Sequence, residues 1–275
     1  DVVPFEPDAL ALERPRSLKQ ALAMLADDAS LTPMAGCTDV FVALHFGSQR
    51  GRRFLDLWPL DELRGIEELN GVLRIGALTS YTEIIRSRLV QRRVPMLVAS
   101  AKEVGGAQIQ NRGTLGGNIA NASPAGDALP VLAAANAQIV LRSARGTRTV
   151  PFDSFYTGYR TSVRAADELI TAIEIPPIDG QQWWRKVGTR RAQAISKVMI
   201  AGVRGSHVRI AFGSVGPTVV LARRAADVLA RGGSLDAAVQ ALHPEITPID
   251  DVRSTGEYRA AVAANLLTEF WTRTS

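Results

Sequence analysis

Residues 113–127 read GTLGGNIANASPAGD, and their types point to binding of an anion and a sugar. Adjacent glycines at Gly116 and Gly117 let the backbone turn its N–H groups inward, with no Cβ to hold an anion away. Thr114 and Asn118, either side of Leu115 and the glycine pair, add hydroxyl and amide donors, and Asp127 ends the stretch with a carboxylate suited to the vicinal hydroxyls of a ribose. Such a loop would hold a diphosphate and the sugar next to it. The same glycines also read as a turn that lets two elements pack closely. A second stretch, Pro33-Met34-Ala35-Gly36-Cys37-Thr38-Asp39-Val40, has the same logic: strand end, small residues, a hydroxyl, then a helix whose first-turn amides are free for an anion. Read alone, it is equally a strand–helix turn with Thr38 or Asp39 as N-cap.

Lys186 lies in WWRKVGTRR, where a strand alternating bulky and basic residues could set one cation against an electron-rich ring or an anion, or could be a solvated edge strand. Trp183 and Trp184 read as packing residues. Cys37 has no general base assigned to it and reads as a small loop residue. The three histidines, His45, His207 and His243, are far apart and form no metal-binding spacing. The sequence contains no G-x-G-x-x-G after a strand, no G-x-x-x-x-G-K-[ST] and no G-x-S-x-G, which argues against a dinucleotide site of the Rossmann type, a P-loop and a nucleophile elbow.

The elements that must position these residues can be read from periodicity. Ser17 can cap a helix with Leu18, Ala21, Leu22 and Leu25 on one face. Residues 31–35 and 53–57 read as strands, and Asn70-Gly71 between 66–69 and 72–77 reads as a hairpin whose turn residues need φ > 0. Residues 79–89 and 94–104 read as helices, and 105–126 as one long functional loop. A helix at 128–136, strands at 138–142 and 168–175, and a linker at 176–180 follow. Beyond the linker, 183–187, 198–203 and 208–212 have strand character, and 219–230, 235–242 and 257–271 read as helices. Strands and helices interleave irregularly, so the class is α+β.

The chain has 275 residues, 46% hydrophobic and 21% charged, and a net charge of +5, the profile of an ordinary globular protein. Its basic residues are mostly scattered arginines and its aromatics only 6%, which argues against nucleic-acid binding. One cysteine excludes a disulfide framework and an iron–sulfur cluster within these residues. No apolar run is long enough to span a bilayer, the acidic, proline-broken N-terminus does not read as a signal peptide, and a cytoplasmic address is expected.

Taken together, the blocks IQNRGTLGGNIANASPAGD (109–127), PMAGCTDV (33–40), FYTGYR (155–160), ELITAIEIP (168–176) and KVGTRRAQAISKV (186–198) resemble, in order, the flavin subunit of the molybdenum hydroxylases. That family includes the xanthine dehydrogenase, aldehyde oxidoreductase and carbon monoxide dehydrogenase flavoproteins. The resemblance covers essentially the whole chain. It implies the FAD-binding fold of the vanillyl-alcohol oxidase and p-cresol methylhydroxylase type, of two α+β subdomains over residues 1–177, and a small α+β C-terminal domain over 178–275. It implies FAD, with the pyrophosphate between Pro33 to Val40 and Thr114 to Asn118, and with Asp127 on the adenosine ribose. Val104, Ile170 and Lys186 would make further flavin contacts, Ile170 and Lys186 nearer the isoalloxazine. The family's first loop usually carries glycine or asparagine where this chain has Cys37.

By the same resemblance, this chain carries no catalytic residue for the organic substrate. A large partner would hold the molybdenum cofactor and a small partner two 2Fe–2S clusters. Electrons would pass through this subunit to NAD+, O2 or a quinone, with NAD+ slightly favoured, in a dimer of heterotrimers. A self-sufficient FAD-dependent reductase on the same fold, or a non-enzymatic nucleotide-binding module, are the alternative readings; no proton donor set opposite a flavin is evident for the former.

Overall fold

The computed structural model describes residues 10–49 and 51–275. The N-terminal stretch read above as lacking an export signal lies largely outside these residues. The first unit holds β1 (Ala11–Glu13), α1 (Leu18–Asp27), β2 (Thr32–Met34), α2 (Thr38–His45) and β3 (Arg53–Asp56), with the strands parallel in the order β1-β3-β2. The Ser17 side chain accepts from the Gln20 amide and starts α1, whose Leu18, Ala21, Leu22 and Leu25 are buried with Leu55, Leu57 and Leu63. That apolar stripe is what fixes α1 on the small sheet.

The second unit begins with the hairpin of β4 (Ile66–Leu69) and β5 (Val72–Gly76); its turn residues Asn70 and Gly71 take φ of 51° and 80°, as the sequence requires. Six helices follow: α3 (Tyr81–Arg86), α4 (Arg88–Arg93), α5 (Pro95–Lys102), α6 (Ala107–Arg112), α7 (Leu115–Asn121) and α8 (Leu129–Ala134). Then come β6 (Gln138–Ser143), β7 (Gly146–Pro151), the short pair β8 (Tyr156–Gly158) and β9 (Thr161–Ser162), and β10 (Leu169–Ile175). The antiparallel sheet runs β4-β5-β10-β6-β7.

The third unit is an antiparallel meander of β11 (Gln181–Gly188), β12 (Ser196–Arg204), β13 (Val208–Gly213) and β14 (Val220–Leu221), with α9 (Arg223–Ala230), α10 (Leu235–Leu242) and α11 (Gly256–Arg273). The helices cover one face: Phe270 of α11 packs so closely on Gly202 that a Cβ there would meet the ring at 2.4 Å. On the other face, Ala201, Val203 and Ala211 join the core of the second unit, against α8. A central strand buried on both faces reads as a continuous apolar run, as β12 does.

Three sequence expectations need correction. The long loop over 105–126 contains α6 and α7, because Thr114 caps α7 and its glycines continue a helix. The helix expected over 79–89 breaks at Ser87, which ends α3 and caps α4 by accepting from the Val90 amide. The helix expected from 219 begins only at Arg223, because Val220 and Leu221 pair with Phe212 and Ala211 instead.

Candidate functional site

A cavity of about 1340 Å³ opens where the three units meet. From the first unit it is lined by Pro33, Ala35, Gly36, Cys37, Thr38, Asp39 and Val40; from the second by Val104, Thr114, Gly116, Gly117, Asn118, Asp127 and Ile170. Three residues expected at the site are not on its wall. The Met34 carbonyl accepts from Leu57, Leu115 is fully buried in the core, and Lys186 lies behind Asp127. Ile170 sits at a register shift in β10, the kind of bulge that re-aims a strand side chain.

Cys37 adopts the left-handed conformation, φ 66° and ψ 4°, and forms the N-cap of α2 without a side-chain bond to the helix. That backbone is easiest for glycine or asparagine. The Cys37 thiol instead donates to the Ala35 carbonyl at 3.3 Å. Burial pushes the thiol up and Arg112 opposes it, which favours the protonated form. Because Cys37 does not cap, the amides of Thr38, Asp39 and Val40 reach no acceptor among the described residues. They are the donors an anion would meet.

The glycines of α7 behave differently from the sequence expectation of a loop with inward-turned amides. The Leu115 amide donates to the Thr79 carbonyl at 3.1 Å and the Gly116 amide to the Ala77 carbonyl at 2.9 Å. Gly117 N–H donates to Thr114 Oγ1 at 3.1 Å, and Asn118 N–H to the Thr114 carbonyl at 3.0 Å. These four amides are spent within the protein. Gly116 is needed for close packing, since a Cβ on it would lie 2.7 Å from Ala77.

What this wall offers instead is side chains. Asn118 Oδ1, Asp127 Oδ1 and the Tyr81 hydroxyl are buried without a hydrogen-bond partner, and all three residues line the cavity. Buried polar atoms are almost always paired, so three orphans on one cavity wall mark groups that a polar ligand would satisfy. Burial pushes the Tyr81 phenol well above its ordinary value, with Asp127 and Asp39 adding to it, which keeps it a neutral donor.

Asp127 Oδ2 accepts from Lys186 Nζ at 2.9 Å, and the same ammonium donates to the Glu103 carbonyl at 3.0 Å. Burial pushes the Asp127 carboxyl up to about 6, with Lys186 opposing and Glu103 adding. Lys186 is therefore not a solvated edge residue, and two of its three N–H donors are used within the protein. Its partner is the residue expected at the far end of the cofactor, so the two do not stand at opposite ends of an extended dinucleotide.

Sequence reading missed Tyr81 and Arg160. Tyr81 directly follows the capping-box serine Ser80 of α3, so its aromatic body reads as core. Arg160 belongs to the FYTGYR block. Its Nη1 donates to Asn121 Oδ1 at 2.9 Å, and its charge opposes the upward push that enclosure by the cavity walls gives Asp39. Asp39 itself is exposed. The C-terminal unit adds Ser196, Ser214 and Arg259 to the wall.

The arrangement fits an elongated ligand with an anionic centre and hydroxyl groups. Comparison with known proteins agrees. Residues 7–178 match the family described as FAD binding domain in molybdopterin dehydrogenase, and residues 184–274 match the CO dehydrogenase flavoprotein C-terminal domain. The chain is 31% identical over 266 residues to the xanthine dehydrogenase FAD-binding subunit of Escherichia coli O157:H7, covering 92% of this chain and 91% of that one. It is 30% identical to the carbon monoxide dehydrogenase medium chain of Hydrogenophaga pseudoflava, covering 95% of each. A solved carbon monoxide dehydrogenase from Hydrogenophaga pseudoflava superposes with a TM-score of 0.90 at 28% identity, over 97% of this chain and 98% of that chain. Quinoline 2-oxidoreductase from Pseudomonas putida 86 gives 0.91 at 25% identity, over 99% of this chain and 98% of that chain. With matched domains along nearly its whole length, the chain belongs to the FAD-binding subunits of the molybdenum hydroxylases, as an oxidoreductase component whose cofactor is FAD.

Proposed function

We propose that this chain is the electron-transfer subunit of a molybdenum hydroxylase, receiving electrons from 2Fe–2S clusters in a small partner and passing them to a terminal acceptor such as NAD+, O2 or a quinone. Bound FAD supplies the ability to exchange electrons singly on one side and in pairs on the other. In this reading the organic substrate is oxidised at the molybdenum cofactor of a large partner, in a cytoplasmic dimer of heterotrimers. One cysteine cannot ligate an iron–sulfur cluster, so the clusters of this reading lie outside these residues. The names of the relatives, a FAD-binding subunit and a medium chain, support a multi-chain assembly.

The observation that carries the reading is the cavity wall of free amides and orphaned side-chain atoms. In our assignment the Thr38, Asp39 and Val40 amides, with the Arg160 guanidinium nearby, neutralise the diphosphate. Asp127 Oδ1 accepts from a ribose hydroxyl, and Asn118 and Tyr81 supply further polar contacts. Val104 and Ile170 supply apolar wall. We assign residues 1–177 to cofactor binding and 178–275 to a C-terminal domain closing the cavity.

Native purification followed by metal analysis and mass spectrometry tests this. The expected product is a yellow complex whose FAD is released intact by acid, with molybdenum and iron in co-purifying chains. A colourless chain that cannot be reconstituted with FAD would remove the cofactor assignment. A flavin-loaded monomer that reduces an organic substrate unaided would favour the self-sufficient reductase.

A further inference from the structure

We propose that Arg164 supplies positive charge to the reduced flavin, so that the loop before β10 helps set the cofactor's reduction potential. This rests on the reading of Ile170 as wall beside the flavin ring. Four cations line the cavity among the described residues: Arg160, Arg164, Arg253 and Arg259. Arg160 is exposed, and Arg253 and Arg259 both bond Asp251. Arg164 is half-buried and forms no ion pair among the described residues.

The loop between β9 and β10 holds Arg164 by one nitrogen. Its Nη1 donates to the Ala165 carbonyl at 3.0 Å and to the Glu168 carbonyl at 2.7 Å. Nε and Nη2 have no hydrogen-bond partner among the described residues, which leaves donors for a ligand. The guanidinium is thus anchored two residues before Ile170, and Glu168, Leu169 and Ile170 continue the cavity wall.

The neighbouring carboxylates do not neutralise it. Glu168 accepts from Arg148 Nε at 2.6 Å and Nη2 at 2.7 Å, and also takes the Ala165 amide at 2.8 Å. Asp167 accepts from Arg145 at 3.1 Å. Three arginines against two carboxylates leave one positive charge, and of the three only Arg164 is on the cavity wall. Burial disfavours that charge and pulls the Arg164 guanidinium down, with Glu168 opposing. An arginine does not give up its proton in answer, so the cost remains until an anion comes within reach.

The ring of oxidised flavin is neutral. Two electrons and one proton make it an anion, protonated at N5 and not at N1, and in the reading above the electrons come from the 2Fe–2S partner. The guanidinium neither gains nor loses a proton in this step. It stabilises the product by charge, more strongly where water is excluded. A diphosphate, by contrast, is anionic in both oxidation states and has the α2 amides and Arg160.

The test is a spectroelectrochemical titration of the FAD-loaded full chain, with binding titrations of oxidised FAD and circular dichroism to establish folding. Arg164→Met should bind oxidised FAD within about twofold of wild type, because the charge it removes acts on one oxidation state. The preference for reduced over oxidised flavin should fall about tenfold, which lowers the midpoint potential by about 30 mV. Arg164→Lys should keep most of the wild-type potential. Arg164→Gln, which retains an N–H donor for the Glu168 carbonyl and so guards against misfolding, should behave as Arg164→Met. An unchanged potential in a folded neutral variant would overturn the proposal. So would an equal loss of affinity for oxidised and reduced FAD, which would make Arg164 a diphosphate or packing contact. Failure of wild type itself to bind FAD would instead strike the functional reading beneath it.

Discussion

The carbonyl oxygen of Arg112 occupies the space that a side chain on Gly36 would need: a Cβ on Gly36 would lie 1.7 Å from it. The Arg112 guanidinium stacks 3.7 Å from the centre of the Trp58 ring, which ties the end of α6 to the segment after β3. Gly36→Ala should therefore drive the two cavity walls apart and abolish FAD binding, because the obstacle is backbone. Gly117→Ala should be milder, since its Cβ would meet only the Thr114 hydroxyl, at 2.8 Å, and a side chain can turn away. Thermal melts with FAD titration check this; equal effects of the two substitutions would contradict it.

Thr114 is the cap of α7, accepting from Gly117 N–H. Thr114→Ala should cost about 1 kcal/mol of stability. Thr114→Ser keeps the acceptor and should stay close to wild type in denaturant unfolding.

Arg160 is a cavity-wall cation whose charge acts on Asp39 in α2, and it is exposed. Arg160→Met should weaken FAD by about 1 kcal/mol at low salt. The difference from wild type should shrink as ionic strength rises, because exposed charge is screened. A salt series of FAD titrations reads this directly; a gap independent of salt would assign Arg160 a packing role.

Arg259 is buried, bonds Asp251 Oδ1 at 2.7 Å and also donates to the Lys197 and Ser214 carbonyls. Partial burial pushes the Asp251 carboxyl up, but the Arg253 and Ser254 amides and the Arg259 guanidinium outweigh it and hold it down at about 2. A carboxyl depressed on folding contributes stability above its unfolded value, near 4, and loses it as pH falls through its folded value. Asp251→Asn should thus be less stable than wild type at pH 6, with the gap narrowing between about pH 4 and 2. Parallel chemical denaturation across that range would show it.

Much of the fold is written locally. Ser17 and the stripe behind it announce α1, and Asn70-Gly71 announces its hairpin through backbone conformation alone. The continuous apolar run of β12 gives away a strand covered on both faces. The strand–turn–helix of residues 33–40 was legible too, but that Cys37 takes a left-handed backbone, which glycine or asparagine adopts most easily, appears only in the structure.

The second loop shows where local reading stops. Its glycines look the same whether their amides face a ligand or the protein, and the answer lies in the carbonyls of Ala77 and Thr79, more than thirty residues away. Asp127 and Lys186 are likewise 59 residues apart and become partners only when β11 docks against α5. Tyr81 reads as core until its hydroxyl proves to have no partner. Residue type and spacing determined which groups could bind an anion and a sugar. Only tertiary packing decided which remain available, because a hydrogen-bonding group is free or spent according to neighbours that the chain brings from far along its length.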